Sequence, residues 1–195
     1  MAANERPETP DWDALFDVAQ AQAGYFTTKQ AAQAGYSPQL LAYYRDNKVE
    51  RVRRGIYRLV HFPASDHEDL VVFWLWSEQQ GVFSHETALA LHDLSDILPS
   101  RVHLTLPARW RRRRLRVPTG LVLHFADIRD GDRSTFDAVP ATGPRLTLMD
   151  CIEAHVEPRL VEQAIRQARR RGLISATEET RLRGELVGVP EVTAP

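Results

Sequence analysis

Residues 27–59 read TTKQAAQAGYSPQLLAYYRDNKVERVRRGIYRL, and the fold of the N-terminal third follows from them. Thr27-Thr28-Lys29-Gln30 has the spacing of a capping box, in which a threonine hydroxyl and a glutamine three positions on satisfy each other's backbone N–H groups, so a helix opens there and runs through Ala34. Gly35 ends it. Ser37-Pro38 then supplies an N-cap followed by proline at the first helical position, and a second helix is expected from Pro38 to about Asn47 with Leu41 inward and Tyr44 as a second anchor. Val49 and Val52 begin a strand, Arg53-Arg54-Gly55 makes a tight turn, and Ile56, Tyr57 and Leu59 return as a second strand. Upstream, Trp12, Leu15, Phe16, Ala19 and Ala23 recur on one helical face, and Gly24 stops that helix. Three helices with a short glycine turn between the last two, followed by a β-hairpin, make a winged helix-turn-helix.

Outward from this module the chain changes character. Residues 1–11 are polar and proline-bearing and read as a disordered lead, without the basic-then-apolar layout of a signal peptide. A loop at His61–Ser65 suggests a boundary, giving residues 12–62 as the winged module and residues 63–195 as a second domain. In that second domain Ser65-Asp66-His67-Glu68 has the spacing of a capping box before an apolar helix through Leu75, and Ser84 is placed to cap another. Val102, Leu104 and Leu106 alternate with His103 and Thr105, and Leu121, Leu123 and Phe125 alternate with Val122 and His124, the pattern of half-buried strands. Helices are expected over 145–155 and 158–171, the latter closed by Gly172, and a last one is capped by Ser175-Ala176-Thr177-Glu178. The fold class is therefore α+β: an N-terminal winged helix-turn-helix followed by a mixed α/β C-terminal domain with a few strands.

The formal net charge of -1 conceals a segregation of charge. Residues 45–58 hold six basic side chains against two acidic ones, residues 62–97 hold seven acidic and no basic ones, and residues 101–116 hold seven arginines and no acid. Basic charge concentrated on a recognition helix and wing is the electrostatic footprint of a duplex DNA-binder. In a helix-turn-helix the second helix of the motif enters the major groove, which makes Ser37, Gln39, Leu40, Tyr43 and Arg45 candidates for base or phosphate contact; Gln39 has the paired donor and acceptor that adenine requires. Thr27, Thr28 and Lys29 stand at the preceding helix's N-terminus, where amides favour a phosphate. Arg53 and Arg54 occupy the wing tip and Arg58 follows on the return strand. The run Arg111, Arg112, Arg113 and Arg114 reads either as a solvated basic loop or as a surface for DNA, RNA or an acidic partner.

Enzyme chemistry finds little footing. There is no glycine-rich phosphate loop and no G-x-S-x-G elbow, and both lysines of the chain, Lys29 and Lys48, precede the second domain. His85 and His92 lie seven apart on one expected helix, but a zinc site needs a further ligand, so no metal, cofactor or catalytic residue is assigned. The single cysteine, Cys151, excludes an internal disulfide, and no apolar run is long enough to span a membrane; a cytoplasmic protein is expected.

The stretches Ala23–Ala31, Gly35-Tyr36-Ser37 and Val52–Leu59, followed by His67–Leu70, Phe83–Leu89 and His103–Pro107, resemble AbiEi-type antitoxins of type IV toxin–antitoxin, abortive-infection systems. The resemblance covers most of residues 12–155. It implies a repressor that binds double-stranded DNA at its own promoter, with a second domain that counteracts a nucleotidyltransferase-like toxin. A winged-helix regulator without a toxin, or a nucleic-acid enzyme using the second domain, are the competing readings.

Overall fold

The computed structural model describes residues 9–45 and 47–188. Two compact units divide them, one running up to Gln79 and joined by residues 137–139, the other formed by Gln80–Phe136 and the chain from Pro140 onward.

The first unit opens with α1 (Trp12–Gln20), whose N-cap Asp11 accepts from the Ala14 N–H at 3.0 Å. Asp11 thus belongs to the folded module rather than to a disordered lead; residues 1–8 of that expected lead lie outside the described residues. The chain then makes a strand that periodicity does not reveal, β1 (Tyr25–Thr27), three residues long. The capping box forms as expected: Thr27 Oγ1 accepts from Gln30 N at 3.2 Å while Gln30 Oε1 accepts from Thr27 N at 2.8 Å, opening α2 (Thr28–Gln33). Gly35, at φ +84°, ends it. Ser37 Oγ accepts from Leu40 N at 3.1 Å and starts α3 (Pro38–Tyr43), which stops short of the expected Asn47 with Tyr44 as its C-cap. The hairpin follows as β2 (Val49–Arg53) and β3 (Ile56–Leu59), with an irregularity between Arg51 and Arg53. β3 lies between β1 and β2, antiparallel to both.

These elements enclose a core of Leu15, Ala19, Phe26, Ala31, Tyr36, Leu41, Val49 and Leu59, all buried. Fully burying a side chain such as Leu41 stabilises the module by about 1.5–3 kcal/mol. Gly24 is required by close packing as well as by its φ of +86°, since a Cβ there would stand 2.5 Å from the Phe62 ring. The next helix, α4 (Glu68–Trp76), also belongs to this unit, with Phe73 beneath the Arg53 guanidinium at 5.2 Å from the ring centroid. The first unit thus runs past the loop at His61–Ser65, where the sequence suggests a boundary, and includes this helix. Nor does the Ser65 capping box form: His67 occupies the N-cap without a side-chain bond, and the buried Ser65 hydroxyl has no partner among the described residues.

The second unit is built on a five-stranded sheet of order β6-β5-β4-β8-β7, from β4 (Val82–Phe83), β5 (Val102–Leu106), β6 (Leu121–Phe125), β7 (Arg133–Phe136) and β8 (Val139–Thr142). β4 runs antiparallel to β5 and parallel to β8, and β5 runs parallel to β6. Parallel neighbours cannot be joined by a hairpin, so β5 and β6 are linked by a crossover that includes a 3-10 turn over Ala108–Arg112. Among the described residues four helices complete the unit: α5 (His85–Leu91), α6 (Pro144–Glu153), α7 (Pro158–Arg170) and α8 (Ala176–Val187). Their shared core contains Leu89, Leu94, Leu148, Cys151, Ile152, Val161, Ile165 and Leu182. The capping box at Ser175 and Glu178 forms as the sequence requires. Together the two units give the mixed α/β architecture expected, with a winged helix-turn-helix first. No described helix is long and apolar enough to cross a membrane.

Candidate nucleic-acid interface

The helix pair α2–α3 and the β2–β3 turn are joined by one backbone bond. Thr28 N donates to the Gly55 carbonyl at 2.9 Å, which brings the turn Arg53-Arg54-Gly55 against the first residue of α2. Gly55 has a φ of +79°, a left-handed conformation that a side chain disfavours. Arg53 and Arg54 are exposed on this turn, and the Arg53 guanidinium rests over Phe73, which orders its stem without neutralising its charge.

α3 presents Ser37, Gln39 and Tyr43 to solvent, Tyr43 at 77% exposure with its ring edge against Tyr44. Tyr44 is half-buried and packs edge-on to Tyr36, so the exposed ring stands on a fixed base. Arg45 is exposed at the end of the helix. Lys29 is exposed in the first turn of α2.

Several candidates turn out otherwise. Leu40 leans against the core rather than outward, because the helix must bury it beside Leu41 to close the module. The N-terminal amides of α2 are largely spent inside the fold: Thr28 N on Gly55 and Gln30 N on the Thr27 hydroxyl. Thr27 and Thr28 therefore hold the helix and the wing together instead of offering a phosphate cradle. Arg58 points inward. Its side chain is 14% exposed, and its guanidinium donates to the Phe62 carbonyl at 2.9 Å and to Glu68 at 3.3 Å, lies 3.6 Å from Glu50 and sits over Tyr25. With two carboxylates and a carbonyl around it, this arginine joins β3 to α4, and its Nε, which has no partner among the described residues, is buried away from any phosphate. The structure adds Arg51 and Lys48 to the exposed basic set; Arg51 lies opposite Tyr57 in the hairpin, and Lys48 stands 4.6 Å over the Trp12 ring. The burial pattern of β2 (inward at Val49 and outward from Glu50 to Arg53) is the signal that marks Arg51.

In the second unit the arginine run is only partly available. Arg111 donates to the Phe125 carbonyl at 3.2 Å and Arg113 stacks 4.0 Å over Trp110, while Arg112 and Arg114 are exposed. The pair His85 and His92 does not converge. His92 is buried and its Nε2 donates to the Thr142 carbonyl at 2.8 Å, whereas His85 stacks on His124 and neighbours His103. Burial pushes all four imidazoles below their ordinary value; that of His85 falls to about 3, with the neighbouring His124 and His103 adding to the effect. They are neutral at pH 7. Asp150, beside His85, is pushed up to about 7 by burial and by Glu153. Cys151 is buried and its thiol is pushed far up, which makes it a packing residue rather than a nucleophile.

Residues 13–60 match the family model described as a transcriptional regulator, AbiEi antitoxin. The match spans α1 to β3, the winged module just described. No curated protein matches the chain. Among solved structures the chain is similar to the RV2827C protein from Mycobacterium tuberculosis, at a TM-score of 0.44 and 14% identity, over 94% of this chain and 84% of that one.

Proposed function

We propose that this chain is a DNA-binding transcriptional regulator that represses its own promoter and serves as the antitoxin of a type IV toxin–antitoxin pair. The observation that carries the reading is the wing: two arginines exposed on a turn that Thr28 N ties to the helix-turn-helix, inside the segment that matches the antitoxin regulators. α3 enters the major groove with Gln39 reading a base edge, and Tyr43 and Arg45 reach bases or backbone further along the helix. Arg53 and Arg54 contact the flanking backbone or minor groove, with Lys29, Lys48 and Arg51 adding positive potential. Second-unit residues, Arg112 and Arg114 among them, meet the toxin, a nucleotidyltransferase-like protein, by charge attraction that speeds encounter. The protein acts by binding and catalyses no reaction in this role.

Two measurements test it. Fluorescence anisotropy against the chain's own upstream DNA, at several salt concentrations, should give affinity that falls steeply with salt. The double substitution Arg53→Ala, Arg54→Ala should weaken specific and random duplex alike and reduce the salt slope by about one for each phosphate that an arginine no longer neutralises. Unchanged binding by that variant would remove the wing from the interface. Co-expression with the adjacent reading frame, scoring growth and a promoter reporter separately, tests the antitoxin role; a neighbour that is harmless on its own leaves a regulator without a toxin.

A further inference from the structure

Three histidines from three elements of the second unit meet at one point. His85 is the first residue of α5, His103 lies on β5 and His124 on β6. The parallel register pairs His103 with Val122 and Thr105 with His124, so both strand histidines project from the polar face, opposite Leu104, Leu106 and Leu123. His103 Nδ1 stands 3.1 Å from His124 Nε2, the His85 ring stacks on His124 at 3.6 Å between centroids, and one nitrogen of each ring lies within 4.8 Å of the other two. Around a tetrahedral zinc ion with bonds of about 2.0–2.1 Å, ligand nitrogens are about 3.3 Å apart, so the site closes when the His85 ring turns out of its stack on His124 and the nitrogens draw together by up to about 1.5 Å.

The outer nitrogens of two of the rings have polar neighbours, as those of metal-bound imidazoles do. His85 Nδ1 is 2.9 Å from the Ser84 hydroxyl, which accepts from the Thr105 hydroxyl at 2.8 Å, and Asp150 Oδ2 stands 3.9 Å away. His103 Nε2 faces Glu86 Oε2 at 4.0 Å. Such outer partners orient a ring and direct its opposite nitrogen to the ion, Nε2 of His85 and Nδ1 of His103; in His124 it is Nε2 that faces His103 Nδ1. His85 is held at φ +53°, a left-handed conformation that costs a non-glycine residue energy and is retained where the surroundings enforce it. A cavity of about 510 Å3, lined by His85 and His124 together with Thr105, Asp150, Glu153 and Arg111, opens beside the rings. Ser84 also explains itself here: it stands at the α5 N-cap without capping the helix, because its hydroxyl is committed to His85 and Thr105.

We propose that His85, His103 and His124 form a binding site for a divalent transition-metal ion, with a fourth coordination position facing this cavity. An all-imidazole set suits zinc, and three protein ligands with one open position is the arrangement that leaves room for water or an anionic ligand on the ion. The ion takes the place of the single proton that the 3.1 Å contact between His103 and His124 holds in its absence, and that proton moves to the outer nitrogen of the same ring, so that both imidazoles stay neutral. It also clamps α5 to the β5–β6 pair.

The test uses the full-length chain without an affinity tag, stripped with chelator, exchanged into metal-free buffer and titrated with Zn2+ by calorimetry and with Co2+ by visible absorption. One equivalent of each should bind, with a rise in melting temperature and a Co2+ spectrum of tetrahedral or five-coordinate type. His103→Gln and His124→Gln should each abolish the spectrum, and Glu86→Gln should weaken binding by about 10–100-fold. His92→Gln, whose ring is bonded to Thr142, should bind as the unaltered chain does. Circular dichroism confirms that each variant is folded. Absence of a stoichiometric site in the unaltered chain, or a Co2+ spectrum that survives His103→Gln, would overturn the proposal.

Discussion

The backbone N–H of Thr28 donates to the carbonyl of Gly55 at 2.9 Å, and this bond ties the wing turn to the first turn of α2. The bond depends on the left-handed conformation of Gly55, at φ +79°. An alanine there meets no obstacle, as its Cβ would lie 3.7 Å from the Thr28 hydroxyl, so the whole effect of Gly55→Ala is conformational. Stability should fall by roughly 1–2 kcal/mol in denaturant titration. DNA affinity should fall further than that of a surface substitution remote from the wing, since the arginines lose their fixed position. A variant as stable as the unaltered chain would mean that the turn relaxes into another form.

Arg58→Ala should behave unlike Arg53→Ala. Removing Arg58 leaves Glu50 and Glu68 without their shared cation and takes a donor from the Phe62 carbonyl. Because Glu50 is about half exposed, solvent screens much of the attraction, and an expected destabilisation of about 1–3 kcal/mol comes chiefly from the unmade hydrogen bonds. Arg53→Ala and Arg54→Ala should each change stability by under about 0.5 kcal/mol, as exposed substitutions do. Thermal melts of the three variants check it; equal stability for all would place Arg58 among the surface arginines after all.

What could be read from the sequence follows the range of the forces involved. The capping boxes at Thr27 and Ser175, the proline start at Ser37 and the glycine turn at Gly55 are local, and each needs only three or four residues to declare itself. Strands of two to four residues, such as β1, β4, β7 and β8, are too short to establish a period, and β8 is identified by its partner β4 rather than by its own pattern. Ser65 has the same spacing to Glu68 as Thr27 has to Gln30, yet the helix starts later and the box stays unmade. The inward turn of Arg58 depends on α4, ten residues on, and could not be seen from the hairpin alone. The histidine cluster is the clearest case. Alternation marks His103 and His124 as polar-face residues, but only the parallel pairing of β5 with β6 and the placing of α5 bring them to His85.

His92 gives the protein an acid sensitivity of known sign. Its ring is buried against Phe136, its Nε2 donates to the Thr142 carbonyl, and Arg171, the charged group facing it, donates to the His92 carbonyl at 2.7 Å. Burial lowers its affinity for a proton, the Thr142 bond opposes that and Arg171 adds to it, so the folded state binds a proton less readily than the unfolded state does. The stability this group contributes is present above about pH 6.5, the unfolded value, and is lost as pH falls below it. His92→Gln keeps a donor of similar reach for Thr142 and removes the titration. Measured between pH 8 and pH 5, its unfolding free energy should fall less steeply than that of the unaltered chain, by at most about 1.4 kcal/mol per pH unit. Parallel curves would show that the ring protonates in the folded protein without penalty.

Ser37 and Gln39 are two residues apart on one helix turn, and the structure assigns them different kinds of consequence. Ser37 Oγ accepts from Leu40 N at 3.1 Å, so Ser37→Ala removes a helix cap and should cost about 1 kcal/mol of stability. Its effect on DNA binding should then be shared by specific and random duplex, because a frayed α3 weakens its hold on any sequence. Gln39 is exposed on the first turn, and Gln39→Ala should leave the melting temperature nearly unchanged. If it reads a base, affinity for the preferred site falls by about 1–3 kcal/mol while random DNA binds as before. Melting temperature and the ratio of specific to random affinity, measured on both variants, separate the two roles. Equal weakening on both kinds of DNA for Gln39→Ala would take it out of base readout and move specificity to Tyr43 and Arg45, further along the same helix.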